Sequence, residues 1–281
     1  MKEMNVELHG LNIAIKRWGN PDGTPVLALH GWLDNANSFD LLAPRLNPDL
    51  CIYAVDLPGH GLSSHLHRSC YYHFIDGIYN VIDLADALNL KQFYLLGHSL
   101  GGCIASLVAG TIAERIERLV LIDAIGPLTG PADKSLEQTE HYLARRQSLR
   151  NKPERSYGSV SEAAEARAQR GHIPLEFAKI LCERGCKQTE AGVYWRHDEK
   201  LLLPSPLRLT DEQVLPFLEK ISADSCLIFA SKGFSSHKTR LQTRIDSVAR
   251  LKTYTVEGGH HIHMEEPQKV AEIVNELFDA S

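Results

Sequence analysis

The sequence predicts an α/β fold, a doubly wound and mostly parallel sheet with a helical cap inserted after the strand that ends at Asp123. Short apolar runs bounded by turn residues recur along the chain, and such runs are typical of buried parallel strands. Helical patterns separate several of these runs, which indicates helices on both faces of the sheet. The interval from residue 127 to 215 is mainly helical and too long for a loop, so we interpret it as a cap over the carboxyl ends of the strands.

The strand pattern begins close to the N-terminus. Residues 6–18 partly alternate between apolar and polar side chains around a His9-Gly10 turn, which predicts an antiparallel hairpin at the sheet edge. Parallel strands are then predicted at residues 26–29, 51–55, 93–96, 119–122, 226–230 and 251–256. Helices that would cover this sheet are predicted at residues 79–88 and 267–278.

The predicted cap contains helices at residues 135–150, 161–170 and 174–184. The second of them follows a capping box, in which Ser159 and Glu162 would satisfy each other's backbone N–H groups. The chain therefore divides into a core of residues 1–126 and 216–281 and a cap of residues 127–215.

The composition excludes several classes of protein. A chain of 281 residues, 43% hydrophobic and 23% charged, is a globular protein that can bury a sizeable core. Its net charge of −5, with no basic stripe, argues against a nucleic-acid partner. The N-terminus does not resemble a signal peptide and no apolar run is long enough for a membrane span, so we expect a cytoplasmic protein.

The six cysteines are scattered through the chain, and we expect them to be reduced thiols. Cys182 and Cys186 are the close pair, one helical turn apart. No second His/Cys pair lies near them in the sequence, which favours core packing over a metal site.

A sharp turn between a strand and a helix is predicted at Gly97-His98-Ser99-Leu100-Gly101. A side chain at either glycine would block this turn, which lifts the serine hydroxyl out of the sheet edge. A serine hydroxyl is a weak nucleophile unless a base removes its proton. Ser99 is therefore the candidate nucleophile, and a histidine partner is expected.

The candidate base lies in the turn after the last predicted strand. His260 follows Gly258-Gly259 and would stand on the same rim of the sheet as the serine. A zinc cluster with His261 and His263 is an alternative, but no carboxylate or cysteine completes a usual ligand spacing. We therefore predict no metal and no cofactor, and we interpret the other two histidines as loop or pocket-lining residues.

Four motifs carry a resemblance to a known family. They read Leu29-His30-Gly31-Trp32, Asp56-Leu57-Pro58-Gly59-His60-Gly61-Leu62-Ser63, Gly97-His98-Ser99-Leu100-Gly101-Gly102, and Gly258-Gly259-His260 through to Pro267. Together they resemble the α/β-hydrolase superfamily, in particular its capped, esterase-like branch, which includes the serine hydrolase-like proteins. The resemblance covers nearly the whole chain and is weak in the cap.

The resemblance implies a role for each matching residue. Ser99 would be the nucleophile, and His260 the general base and then the general acid. The backbone N–H groups of Trp32 and Leu100 would form the oxyanion hole. The motif around His60 is implied to be a structural turn near the site.

The acid that orients the histidine departs from the family pattern. Most relatives carry it after the next-to-last strand, but residues 229–238 contain no Asp or Glu. Asp224 precedes that strand and Asp246 falls in a predicted helix, so both are poorly placed. Asp123 ends the preceding strand, a position from which a minority of relatives supply the acid, and it is our candidate; another carboxylate stays an alternative.

The expected reaction is hydrolysis of a carboxylic ester with a small or medium acyl group, with water as the second substrate. A serine nucleophile argues against dehalogenase and epoxide hydrolase chemistry, both of which need a carboxylate nucleophile. Thioester, lactone or carbon–carbon bond hydrolysis and a non-catalytic ligand-binding fold are the alternatives.

The aromatic residues predicted to line an apolar pocket for the acyl group are Trp32, Tyr142, Tyr194 and Trp195. The sequence does not predict an oligomeric state.

Overall fold

An eight-stranded sheet lies at the centre of the computed structural model, which describes residues 1–150, 155–171, 173–234 and 238–279. Its strands are β1 Lys2–Leu8, β2 Leu11–Gly19, β3 Thr24–Leu29, β4 Leu50–Val55, β5 Phe93–His98, β6 Ile116–Ile122, β9 Asp224–Ala230 and β10 Leu251–Val256, while β7 Cys186–Thr189 and β8 Gly192–Trp195 form a separate hairpin. The order across the sheet is β1-β2-β4-β3-β5-β6-β9-β10. β2 is antiparallel to both of its neighbours, and all other pairs are parallel.

Helices cover both faces of this sheet. The helices are α1 Asp76–Ala87, α2 Leu100–Thr111, α3 Ser135–Arg150, α4 Val160–Gly171, α5 Leu175–Gly185, α6 Asp211–Glu219, α7 Lys238–Asp246, α8 Ile262–Glu265 and α9 Pro267–Phe278. Adjacent residues of a strand face opposite ways, so Leu95 packs with α1, α2 and α6, while Leu96 packs with α9. The predicted α/β class and the mostly parallel sheet are confirmed.

The hairpin, the six parallel strands and the predicted helices occur with boundaries shifted by a few residues. β6 begins at Ile116 because that residue is buried in the core below α2 and pairs with Phe93. The hairpin β7–β8 is an addition to the prediction, and it contains the aromatic pair Tyr194-Trp195. Half of the predicted capping box before α4 is present: Glu162 N–H donates to Ser159 Oγ over 3.1 Å, but the Glu162 carboxylate accepts the N–H of Gly158 over 2.7 Å instead of that of Ser159.

The segment between β6 and β9 contains α3, α4, α5 and the β7–β8 hairpin. It has a small apolar core of its own, which includes Ala163, Leu181 and Val193 together with Met264 of α8. The boundary predicted at 215/216 falls inside α6, whose Val214 and Leu218 pack in the core of the sheet. The chain therefore returns to the sheet earlier than the sequence suggested, and the division into core and cap stays an interpretation.

A buried ion pair attaches this segment to the sheet. Arg184 of α5 donates from Nε to Asp56 Oδ2 over 2.8 Å and from Nη1 to Glu3 Oε1 over 2.8 Å. Asp56 is fully buried and also accepts the backbone N–H groups of Ala36 and Leu62, both over 2.7 Å. The turn after β4, the start of β1 and the end of α5 are therefore held together by one carboxylate.

All six cysteines are free in the structure, and Cys182 and Cys186 lie in the small core between α4, α5 and β8. Within the described residues, no helix combines the length and the apolar character needed to cross a membrane.

Candidate active site

Ser99 occupies the sharp turn between β5 and α2. Its backbone has φ 51° and ψ −115°, an unusual conformation for a residue with a side chain. A methyl group at Gly97 would collide with the Gly101 carbonyl, and one at Gly101 would collide with the Leu29 carbonyl. The two glycines are therefore required by close backbone approach, and the strained residue between them directs its hydroxyl away from the sheet edge.

The imidazole of His260 meets this hydroxyl from the turn after β10. Its Nε2 lies 2.8 Å from Ser99 Oγ, and its Nδ1 lies 2.5 Å from Asp123 Oδ2. Because an ionised carboxylate only accepts, Nδ1 carries the proton and Nε2 is free to accept from the serine. His98 Nε2–H donates to the His260 carbonyl over 2.9 Å and so fixes the backbone of the turn.

Asp123 follows the last residue of β6 and has φ 52°. Its carboxylate is buried and accepts two backbone N–H groups from the loop after β9, that of Ala230 over 3.2 Å and that of Phe234 over 3.0 Å. This loop is the one in which most relatives would carry the acid. Here it supplies donors to a carboxylate that comes from the neighbouring strand.

Two backbone N–H groups, those of Trp32 and Leu100, are the predicted donors of an oxyanion hole. The N–H of Leu100 is the first of α2 and has no acceptor one turn earlier in the helix. The N–H of Trp32 forms no hydrogen bond with any residue that the structure describes. His30 accepts Leu57 N–H at Nε2 over 3.1 Å and therefore donates from Nδ1 to Gly31 O over 2.7 Å. Because a trans peptide places C=O and N–H on opposite sides, this anchor directs the N–H of Trp32 away from His30.

A buried carboxylate that the sequence analysis did not single out, Asp34, lies beside these histidines. Its Oδ2 accepts from His261 Nε2 over 3.2 Å, and its Oδ1 is paired with Arg167 of α4. Burial acts to raise the pKa of Asp34, but His261 and Arg167 outweigh it and hold this pKa well below its ordinary value. Asp34, His98 and His261 place potential ligand atoms within 4.8 Å of one another. Since protein groups already occupy both oxygens of Asp34, we interpret it as the anchor of Arg167, and the absence of a metal stays a prediction.

The other two histidines of the turn are buried rather than solvated. His263 is fully buried, and its Nε2 lies 2.7 Å from Ser38 Oγ. Burial lowers the pKa of His263 to about 3, and burial likewise holds the pKa of His98 well below its ordinary value. The side chains of His263 and His98 are therefore neutral at physiological pH, and they support the turn that carries His260.

A cavity of about 510 Å³ opens beside Ser99 and His260. Its wall includes Trp32, whose Nε1 donates to Leu201 O over 2.9 Å, and Trp195 of β8. Aromatic lining is therefore present as predicted at these two positions. The prediction fails for Tyr142 and Tyr194, neither of which lines this cavity. Tyr142 instead packs against Tyr71, with ring centres 6.3 Å apart.

Charged residues that were not predicted from the sequence also line this wall. Arg155, Arg167 and Arg170 all line the cavity from the segment between β6 and β9. Arg167 and Arg170 are three residues apart in α4, so they share one face of the helix, and this spacing was the available signal. The sequence alone does not indicate that this face of α4 points toward Ser99.

Comparison with known proteins settles the family. Residues 24–212 match the family model described as the alpha/beta hydrolase fold. The chain belongs to this family. Among its α/β-hydrolase relatives, a serine hydrolase-like protein of Dictyostelium discoideum is 33% identical over 96% of this chain and 79% of its own length. These similarities support hydrolase activity.

Two solved α/β-hydrolase structures show how far the likeness extends. A hypothetical protein from Pseudomonas aeruginosa PAO1 has a TM-score of 0.92 at 37% identity, with 99% of this chain and 98% of that chain covered. A thioesterase domain from the curacin biosynthetic pathway has a TM-score of 0.82 at 25% identity, with 98% of each chain covered. The similarity therefore includes the segment between β6 and β9 as well as the sheet.

Proposed function

We propose that this α/β-hydrolase is a cytoplasmic serine esterase that cleaves carboxylic esters of small or medium acyl groups. The observation that carries the proposal is the hydrogen-bonded chain from Ser99 Oγ through His260 to Asp123, with separations of 2.8 and 2.5 Å. Hydrogen-bond reach from nucleophile to base and from base to carboxylate is the arrangement that acyl transfer requires. A fold that only binds ligands has no chemical need for it.

In the first half of the proposed reaction, Ser99 Oγ attacks the ester carbonyl carbon and its proton passes to His260 Nε2. The N–H groups of Trp32 and Leu100 stabilise the negative charge that forms on the carbonyl oxygen. One such donor typically contributes about 3 kcal/mol to the transition state. When the tetrahedral intermediate collapses, the bond to the alcohol breaks and His260 returns the proton to the leaving oxygen.

In the second half, water replaces the alcohol. His260 removes a proton from the water, whose oxygen adds to the acyl carbon, and the imidazole then returns this proton to Ser99 Oγ. The ester and one water give one carboxylic acid and one alcohol. Asp123 holds the proton on His260 Nδ1 and stabilises the imidazolium that forms in each half.

The cavity supports an acyl group of limited size. About 510 Å³ lies within the usual volume of a small-molecule site, and Trp32 and Trp195 supply apolar surface. Thioester hydrolysis is the second candidate, because the likeness to the curacin thioesterase domain extends over 98% of both chains. The attack by serine is the same for both bonds.

The test treats the protein with a fluorophosphonate probe and measures hydrolysis of p-nitrophenyl butyrate in parallel. Wild type is compared with Ser99→Ala, His260→Ala and Asp123→Asn, with Asp246→Asn as the matched control. We expect labelling and turnover in the wild type, loss of both in Ser99→Ala, and a fall in kcat of about 10⁴-fold in Asp123→Asn. A folded wild type that neither labels nor turns over would favour the ligand-binding alternative, and full activity of Asp123→Asn would assign the acid elsewhere.

A further inference from the structure

A second cavity, of about 580 Å³, shares a wall with the cavity beside Ser99. Trp195, His197 and Glu199 line both of them. Burial lowers the pKa of His197 to about 4, so this shared wall carries a neutral imidazole at physiological pH. A ligand that fills the second cavity would therefore lie next to one bound at Ser99.

The second cavity is strongly basic. Its lining has five cationic side chains and two carboxylates; the cations are Arg68, Arg146, Arg150, Lys187 and Lys200. The chain as a whole has a net charge of −5, so this concentration does not follow from the composition. Arg68 and Arg150 are exposed and the other three cations are half-buried, and a concentration of like charges around one cavity attracts an anion.

Part of this positive charge is already paired with other groups of the chain. Lys200 Nζ donates to the carbonyls of Leu66, His67 and Cys70 over 2.9–3.3 Å and lies 3.3 Å from Asp198 Oδ2. Asp198 in turn accepts from Tyr72 Oη over 2.9 Å. These two residues therefore form part of the wall, and the excess charge belongs mainly to the arginines.

The three arginines present guanidinium groups without carboxylate partners among the residues that the structure describes. Arg146 stacks with its guanidinium carbon 4.2 Å from the centre of the Tyr71 ring. Its Nε is buried and has no hydrogen-bond partner within the described chain. Hydrogen bonds from Arg150 and then Arg146 lower the pKa of Tyr71, since both guanidinium groups face the same phenolic oxygen.

The basic surface continues into the cavity beside Ser99. Arg155 and Arg170 line that cavity, whereas the charge of Arg167 is balanced by Asp34. The positive charge therefore extends from the second cavity toward the serine.

We propose that the substrate carries a phosphate group, remote from the bond that is cleaved, and that Arg68, Arg146 and Arg150 bind this group in the second cavity. The inference rests on the proposed serine hydrolase function and specifies its substrate class. Guanidinium groups bind phosphate oxygens in a bidentate manner, and a phosphate offers enough oxygens for several of them. A carboxylate offers two oxygens, which one arginine already satisfies.

The test compares esters that differ only in the phosphate. The oxygen-ester pair is 1-butyrylglycerol 3-phosphate and 1-butyrylglycerol, and the thioester pair is butyryl-coenzyme A and butyryl-N-acetylcysteamine. We expect kcat/KM to be at least about tenfold higher for the phosphate-bearing member of one pair or both, because each charge-assisted hydrogen bond contributes about that factor. The two pairs distinguish a simple phosphate ester from a nucleotide thioester.

The matched variants are Arg68→Ser and Arg150→Ser, with Lys91→Ser as the control, since Lys91 is exposed before β5 at the opposite edge of the sheet. The arginine variants should lose about tenfold in kcat/KM on the preferred phosphate-bearing ester and keep their activity on its phosphate-free partner. The control should retain both activities. Unchanged labelling by the fluorophosphonate probe shows that the site at Ser99 is intact.

Two results would overturn the inference while leaving the esterase proposal in place. One is equal kcat/KM within both pairs in a protein that hydrolyses p-nitrophenyl butyrate. The other is a kcat/KM for 2-butyryloxyacetate that equals the kcat/KM for the preferred phosphate-bearing ester. This compound carries a carboxylate instead of a phosphate. If the wild type has no hydrolytic activity, calorimetric titration with coenzyme A tests the cavity directly; binding that Arg150→Ser weakens supports the phosphate site, and no binding rejects it.

Discussion

The backbone N–H of Phe234 donates to Asp123 Oδ2 over 3.0 Å, and the same carboxylate oxygen lies 2.5 Å from His260 Nδ1. The loop after β9 thus holds the carboxylate that holds the imidazole. Gly233 makes this possible, because a methyl group at this residue would collide with Asp123 Oδ2. The loop lacks a carboxylate of its own, and its backbone N–H groups instead position the carboxylate of Asp123.

Gly233→Ala tests that relationship. The added methyl group must displace either the loop or the Asp123 carboxylate, and a displacement of this kind at a catalytic group lowers kcat by about 100-fold. We expect KM for p-nitrophenyl butyrate to change little, because Gly233 does not line the cavity beside Ser99. Wild-type kcat in Gly233→Ala would show that the carboxylate is not the positioned acid.

His30→Leu tests the anchor of the proposed oxyanion hole. Its loss removes one of the two hydrogen bonds to the Gly31 carbonyl, which also accepts the backbone N–H of Asp34 over 3.0 Å, and leaves the Leu57 N–H without its acceptor. We expect kcat to fall by about 100-fold with little change in KM, because only the charge on the developing oxyanion is affected. Affinity for a trifluoromethyl ketone inhibitor should fall in parallel, and a stability loss with unchanged kcat would mean that His30 is only structural.

The ion pair between Arg184 and Asp56 should contribute strongly to stability. Arg184→Met leaves the fully buried Asp56 carboxylate without its countercharge, and such losses destabilise a protein by about 3–5 kcal/mol. Glu3→Gln is the matched control, since the Glu3 side chain is 49% exposed and its pairing with Arg184 contributes less than about 1 kcal/mol. Urea unfolding measures both. Equal midpoints for the two variants would contradict the assignment.

Acid sensitivity should come in part from His263. Its pKa is lowered by burial to about 3 in the folded protein, against about 6.5 in an unfolded chain. Between these values the unfolded state binds the additional proton, so the free energy of unfolding falls as the pH is lowered from 6.5 toward 3. We expect His263→Gln to reduce this slope by up to about 1.4 kcal/mol per pH unit.

Urea titrations at pH 7, 6, 5 and 4 measure the slope. His9→Gln serves as the control, because the His9 side chain is 75% exposed. A slope in His263→Gln identical to that of the wild type would assign the acid sensitivity to other groups.

The sequence by itself predicted most of the elements and two residues of the candidate site. Strand and helix patterns depend on local periodicity, and the turn at Ser99 depends on glycines whose backbone requirements are visible within five residues. His260 was identifiable for the same reason, since it follows two glycines directly after the strand β10.

Only the tertiary structure decided how distant parts of the chain meet. Asp123 and His260 are 137 residues apart, and their contact depends on the packing of the turn after β10 against the end of β6. The packing of the segment between β6 and β9 on the sheet decides which residues line the cavities. It turns the face of α4 that carries Arg167 toward the cavity beside Ser99, leaves Tyr142 and Tyr194 outside that cavity, and forms the second, basic cavity. Local patterns specify which side chains leave an element on one face, whereas long-range packing specifies what that face meets.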